Sequence, residues 1–415
     1  MRYSLNQQLR PQQPGSAASA DGAVIATRVQ LIVMAMVAGV TVANIYYSQP
    51  ILAAIAKSLG ASELQVGNIP VLTQIGYGLG LFFLTPLGDM IDRKKLVITL
   101  ELLLCACLIG VVLVDRIETL YVASLFVGVL AVSVQVVMPM AAALAPKEKT
   151  GAAVGTVFTG ALTGILLARV LSGAIADWLN WRWVYGLSAV LILAMAILVL
   201  VTLPNAPAHH KGSYPSLLRS TFKQLQRFPS LRRVALLGGL VFGAFCSFWT
   251  TLTFHLSGAP FFYRSDLIGS FGFLAVAGTL ITPVFGRLAD RANPARSQML
   301  TICVMIVGVL AMKFWPDAIA TMIVATLLLD IGVQSTQVNN LAQIYGLDPT
   351  AHSRINTVFM TSFFIGGAVG TYAGVLCWDR GGWNLVCWQI LGWTLIALGV
   401  AVVNHRLAGR AKPET

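Results

Sequence analysis

Charge is scarce in this chain. Sixteen acidic and 28 basic side chains make up 11% of 415 residues, where a soluble domain carries roughly a quarter. The shortfall runs along the whole length, which excludes a globular protein with one anchor. Six cysteines (Cys105, Cys107, Cys246, Cys303, Cys377, Cys387) form no CxxC pair and stand near no histidine cluster, so neither a disulfide framework nor a metal site is indicated. A GxxxxGK[ST] loop is absent, which removes ATP as a direct energy source, and HExxH is absent too. Leu87-Gly88-Asp89 lacks the first glycine of an intramembrane-protease GxGD and lies in a loop. An enzyme is therefore disfavoured, and no catalytic residue or cofactor is expected.

What is abundant is apolar sequence. Hydrophobic residues reach 57% and mean hydropathy is +0.77. Apolar runs of 18 or more residues recur from Val29 to Val403, each long enough to cross about 30 Å of hydrocarbon. They predict an all-α membrane protein with twelve transmembrane helices in two pseudo-symmetric six-helix bundles. The spans are 29–56, 65–87, 96–114, 119–144, 151–177 and 184–203, then 234–257, 267–289, 297–315, 318–343, 354–377 and 383–404. Residues 1–28 read as a polar cytoplasmic tail, 29–203 as the first bundle, 204–233 as a cytoplasmic linker, 234–404 as the second bundle and 405–415 as a cytoplasmic tail. Within the linker, 216–228 has helical spacing. The first span follows Arg28, as a signal-peptide core would, but it exceeds the usual length of such a core and eleven more follow.

A net charge of +12 could suggest nucleic acid. The positions argue for topology instead. With both termini placed in the cytoplasm, 21 Lys and Arg fall in cytoplasmic segments and six on the other side, with Arg169 inside a span. Positive residues gather on the cytoplasmic side of membrane proteins, so both termini are expected inside, with lipid and not nucleic acid as the partner of these charges.

The bundles repeat. Leu87-Gly88-Asp89 after span two matches Leu288-Ala289-Asp290 after span eight at an offset of 201, which also pairs Thr156-Val157-Phe158 with Thr357-Val358-Phe359 and Gly173 with Gly374. The loop Leu87–Lys95 resembles the G-x-L-A-D-R-x-G-R-K loop of the major facilitator superfamily, and Gly286-Arg287-Leu288-Ala289-Asp290-Arg291 fits its first six positions. In the first copy Thr85 and Asp92 replace the two glycines. This resemblance implies that Asp89, Arg93, Asp290 and Arg291 latch the inward gate, and that spans one, four, seven and ten line a central cavity. Asn44-Ile45-Tyr46-Tyr47-Ser48-Gln49-Pro50 and Gly164-Ile165-Leu166-Leu167-Ala168-Arg169 are similar to a twelve-span bacterial branch of exporters. That similarity implies the bacterial inner membrane. The chain departs from drug/proton antiporters: Ser124-Leu125-Phe126-Val127-Gly128 lacks the Arg of R-x-x-Q-G, and where their span-five motif has Gly-Pro, Gly164 here is followed by Ile165.

Two charges lie at membrane depth. Asp330 sits mid-way along span ten, where an Asp costs about 2.5–3.5 kcal/mol, so it should face protein or water and carry a proton or meet a cationic group. Arg169 in span five carries a similar cost and needs a carboxylate, carbonyls or an anionic group. Asn44, Tyr47 and Ser48 recur at helical spacing in span one, and Gln334, Gln337 and Asn340 or Gln343 continue the face of Asp330. Gln135 and Pro139 in span four and Trp249, Thr253 and His255 in span seven are further candidates. Glu101, one turn into span three, is expected to snorkel to the interface. The glycines 76, 78, 80, 366, 367 and 370 suit close helix approach. The whole predicts a monomeric secondary transporter of a small molecule, exporting it in exchange for protons, with an importer or uncoupled facilitator as the alternative.

Overall fold

The computed structural model describes residues 26–206, 213–275, 294–348 and 351–410. Among these, every regular element is a helix. Nine helices among the described residues are long and apolar enough to cross a membrane, and the last of them covers two expected spans. Span eight lies mostly outside the described residues, as do Asp290 and Arg291 of the second gating loop.

Helix starts follow local chemistry. Thr27 and Ser62 each form a capping box, with the side chain accepting from a backbone N–H three residues on and a Gln reaching back. Asp92 accepts from Lys95 N–H at 3.1 Å and opens span three, Arg93–Val112. Spans five, six, seven, nine and ten run Thr150–Trp178, Trp181–Thr202, Pro229–Ser257, Pro294–Phe314 and Ile319–Tyr345. Spans eleven and twelve form one run, His352–Arg410, bent at Gly381 and Gly382, where Gly382 has φ +57°. The linker carries the helix Tyr214–Arg227.

Two spans differ from expectation. Span four is Ile117–Leu130 followed by Ser133–Leu144, with a turn between. Span one is not a single continuous helix. Arg28–Ala43 ends in turns at 44–48, a 3-10 turn covers Gln49–Ile51, and Leu52–Leu59 follows. Pro50 has no N–H to continue the ladder. The Asn44 amide donates to the carbonyls of Val40 at 2.9 Å and Thr41 at 3.3 Å, competing with the backbone.

Packing repeats between the two sets of spans. Span one packs on five and seven on eleven; span three packs on six and nine on twelve. Glycines permit the closest of these approaches. A Cβ on Gly164 would collide with the Gly39 carbonyl, and one on Gly370 with that of Gly243. Large apolar side chains such as Leu102, Leu103, Val190, Val201 and Leu236 remain exposed on the outside, the surface a bilayer covers.

Glu101 corrects the snorkelling expectation. It is 0% exposed, and Thr41 Oγ1 donates to its Oε1 at 2.7 Å. It lies eight residues past Arg93, about 12 Å along the axis, on the face turned to span one.

Candidate functional site

Span five carries Arg169 into the centre of the molecule, because Gly160 and Gly164 seat that helix against span one. Gly269, at the start of span eight, leaves room for the Arg169 carbonyl on the other flank. The Arg169 side chain is 1% exposed. Its Nε donates to Gln49 Oε1 at 2.9 Å. The guanidinium carbon stands 4.2 Å from the Trp249 ring centroid and 4.9 Å from that of Tyr46. A buried guanidinium needs such compensation, and each aromatic face supplies about 0.5–2 kcal/mol. Among the described residues, Nη2 has no hydrogen-bond partner.

Asp330 on span ten is also 1% exposed, and its Oδ2 has no hydrogen-bond partner among the described residues. Arg169 and Asp330 line one cavity of about 120 Å³, together with Gln135, Gln334 and Gln337. The remaining wall is apolar, part aliphatic and part aromatic, the aromatic part including Tyr46, Tyr77, Phe242, Phe245, Phe363 and Phe364. Phe242 stacks on Phe363 at 4.0 Å, and Tyr77 of span two meets Phe364 of span eleven at 4.3 Å.

Five candidates from the sequence thus share this cavity: Arg169, Asp330, Gln135, Gln334 and Gln337. Asn44 and Tyr47 do not line it. Ser188 Oγ of span six donates to Asn44 Oδ1 at 2.8 Å, and Tyr47 meets the same serine. Their neighbours Tyr46 and Gln49 take the inward places, because the turns at 44–48 break the helical spacing on which the candidates were chosen. Asn340 is engaged by Gln298 of span nine at 2.6 Å. The Phe242–Phe245 and Phe359–Phe363 spacings were the available signal for the aromatic wall.

One side of the molecule is open. A cleft of about 650 Å³ lies on the Asp89 side, lined by Asp89, Arg93 and Thr150 from the first set of spans and by Tyr345, His352 and Asn356 from the second. It shares Gln135, Met138 and Met360 with the cavity. Arg93 pairs with Asp89 at 3.0 Å and donates to Gly88 O at 3.0 Å and Pro139 O at 3.3 Å, all within the first set.

The other side is bridged. Arg264 forks onto Asp177 of span five, with Nε 2.9 Å from Oδ1. Trp378 Nε1 donates to Glu63 at 2.6 Å, joining spans eleven and two. Thr253 Oγ1 of span seven donates to Gln49 O at 2.8 Å. His255 stacks on Trp383 at 4.2 Å and meets Pro316 O at 2.9 Å, so it serves the second set of spans and not the cavity.

The comparisons with known proteins agree with this architecture. The chain is 34% identical over 353 residues to the uncharacterized transporter YgaY of Escherichia coli, covering 85% of this chain and 90% of that one. It is 29% identical over 361 residues to the probable transporter SCO4007 of Streptomyces coelicolor, covering 86% and 84%. In fold it is similar to the nucleoside transporter NupG, with TM-score 0.68, 13% identity and coverage of 92% of this chain and 100% of that one. A bacterial homolog of the human lysosomal transporter Spinster, in an inward-facing and occupied conformation, superposes with TM-score 0.69, 12% identity and coverage of 92% and 96%. A sequence profile of the Major Facilitator Superfamily matches residues 33–371. With helices of membrane length, a repeated packing order and a polar cavity between the two sets of spans, this chain belongs to the Major Facilitator Superfamily of secondary transporters, and is not an enzyme.

Proposed function

We propose that this transporter exports a small molecule across the bacterial inner membrane in exchange for protons, with Asp330 as the proton carrier. The observation that carries the reading is the Asp330 carboxylate itself, a buried acid with an unpartnered oxygen on a central cavity. Buried carboxylates exchange protons readily when a charge beside them changes, and intramembrane acids mark proton and ion pathways. The other titratable groups lining the same cavity are Arg169, Tyr46 and Tyr77.

Alternating access supplies the cycle. Residues 29–203 and 234–404 act as two bundles joined by the 204–233 linker, and one chain suffices. Both termini and the Asp89 loop face the cytoplasm, in line with 21 of 28 Lys and Arg on that side. The cleft on that side and the Arg264–Asp177 and Trp378–Glu63 bridges on the other then correspond to an inward-open state. Substrate enters from the cytoplasm and the proton leaves Asp330. The far bridges part as the Asp89 side closes, and Asp89 and Arg93, with Asp290 and Arg291 in the second loop, latch that closure.

The test is proton release from acid-loaded inverted vesicles on adding a panel of compounds, comparing the natural chain with Asp330→Asn. Release by one compound class, lost in the variant, supports the reading. No release from any compound with well-folded protein overturns it in favour of an importer or uncoupled facilitator.

A further inference from the structure

Two opposite charges at one small cavity constrain what can bind there. Arg169 and Asp330 come from spans five and ten, and among the described residues neither forms an ion pair within 4.0 Å. Each presents one buried polar atom without a partner, Nη2 on Arg169 and Oδ2 on Asp330. The rest of the guanidinium is fixed by Gln49, Tyr46 and Trp249, so Nη2 is the end left for a ligand.

We propose that this cavity takes a compact zwitterion, its anionic group on Arg169 Nη2 and its cationic group on Asp330 Oδ2, with an apolar body against the phenylalanine rings. The inference rests on the carrier reading above and adds the substrate class. A ligand with only a positive charge meets Asp330 but is opposed by Arg169. A ligand with only a negative charge meets the reverse, and a neutral one leaves Arg169 Nη2 and Asp330 Oδ2 buried without a charged partner. A zwitterion satisfies both ends. The volume of about 120 Å³ is well below the 300–1,000 Å³ of drug-sized pockets, which restricts the ligand to the scale of an amino acid. Phe242, Phe245, Phe363 and Phe364 on the wall favour an apolar side chain.

The experiment is ligand-dependent thermal stabilisation of the purified full chain. The probes are leucine, methionine and phenylalanine, each beside its N-acetyl form, which keeps only the anion, and its methyl ester, which keeps only the cation. The expected result is stabilisation by at least one free amino acid, with an apparent Kd at least about tenfold lower than for either blocked form. In Asp330→Asn the N-acetyl form should bind as well as its parent. In Arg169→Gln the ester should do so; where that variant fails to fold, the ranking in the natural chain and in Asp330→Asn decides. An ester or N-acetyl form binding as tightly as its parent in the natural chain overturns the proposal, and so does stabilisation by none of the three amino acids. The two readings fail separately. Proton release evoked by an ester and lost in Asp330→Asn would keep the coupling and remove the zwitterion. Zwitterion-dependent stabilisation without proton release would do the opposite.

Discussion

Arg169 and Gln49 are joined by a 2.9 Å hydrogen bond from the guanidinium Nε to the amide oxygen, and the same glutamine accepts the Thr253 hydroxyl at its backbone carbonyl, 2.8 Å away. The buried charge of span five is thus one residue removed from a bridge between spans one and seven. A ligand that pulls on Arg169 acts on Gln49, and Gln49 sits where the far side is held shut.

Gln49→Ala should therefore harm transport more than its size suggests. It removes a hydrogen bond to a buried charged group, worth about 1.5–3 kcal/mol, and leaves a second guanidinium N–H without an acceptor. The expected outcome is a lower melting temperature in detergent and a marked loss of transport at unchanged expression. Gln49→Glu, which still accepts from Nε, should melt no lower than the natural chain. Melting curves and vesicle uptake check both.

Cross-linking tests the bridged side. Arg264 is 68% exposed, and an exposed ion pair contributes little to stability. Asp177→Asn should therefore leave folding intact. Arg264→Cys combined with Asp177→Cys, bridged by a short reducible bis-thiol reagent, should stop transport and regain it with reductant. Transport that continues through the cross-linked protein would show that this side does not open.

The Asp89 loop makes a different prediction. Asp89 is held by Arg93 inside one set of spans, so in this state it carries little of the fold. Asp89→Asn should melt within about 1 kcal/mol of the natural chain but lose transport, because the latched state needs the carboxylate. Unchanged transport would assign Asp89 to an ordinary interfacial charge cluster.

Glycine substitutions separate close packing from composition. Gly164→Val and Gly370→Val drive side chains into the backbones of Gly39 and Gly243, and each should destabilise by about 3 kcal/mol or more. Gly110→Ala meets nothing within 4 Å and should be neutral or stabilising by up to about 1 kcal/mol. Melting temperatures of the three, measured side by side, check this.

Most of the architecture was legible because membrane helices must satisfy their own backbone, so length and hydropathy alone mark them. The cavity was legible where a helix stays regular: Asp330, Gln334 and Gln337 lie on span ten, and their spacing holds. It failed where the helix breaks. Choosing Asn44 and Tyr47 assumed 100° per residue through span one, and the turns at 44–48 turn Tyr46 and Gln49 inward instead. Glu101 was misjudged for a related reason. Distance from a helix end was readable in the sequence, but the face it presents to Thr41 depends on how span three rotates against span one.

The cavity and the open cleft share three lining residues, and two of them, Met138 and Met360, are methionines. Unbranched thioether chains rearrange by rotamer hops on the picosecond to nanosecond scale. Parting the bridged side requires helices to move, which takes microseconds to milliseconds. In the proposed cycle, side-chain motion between cleft and cavity is therefore faster than the parting of the bridged side.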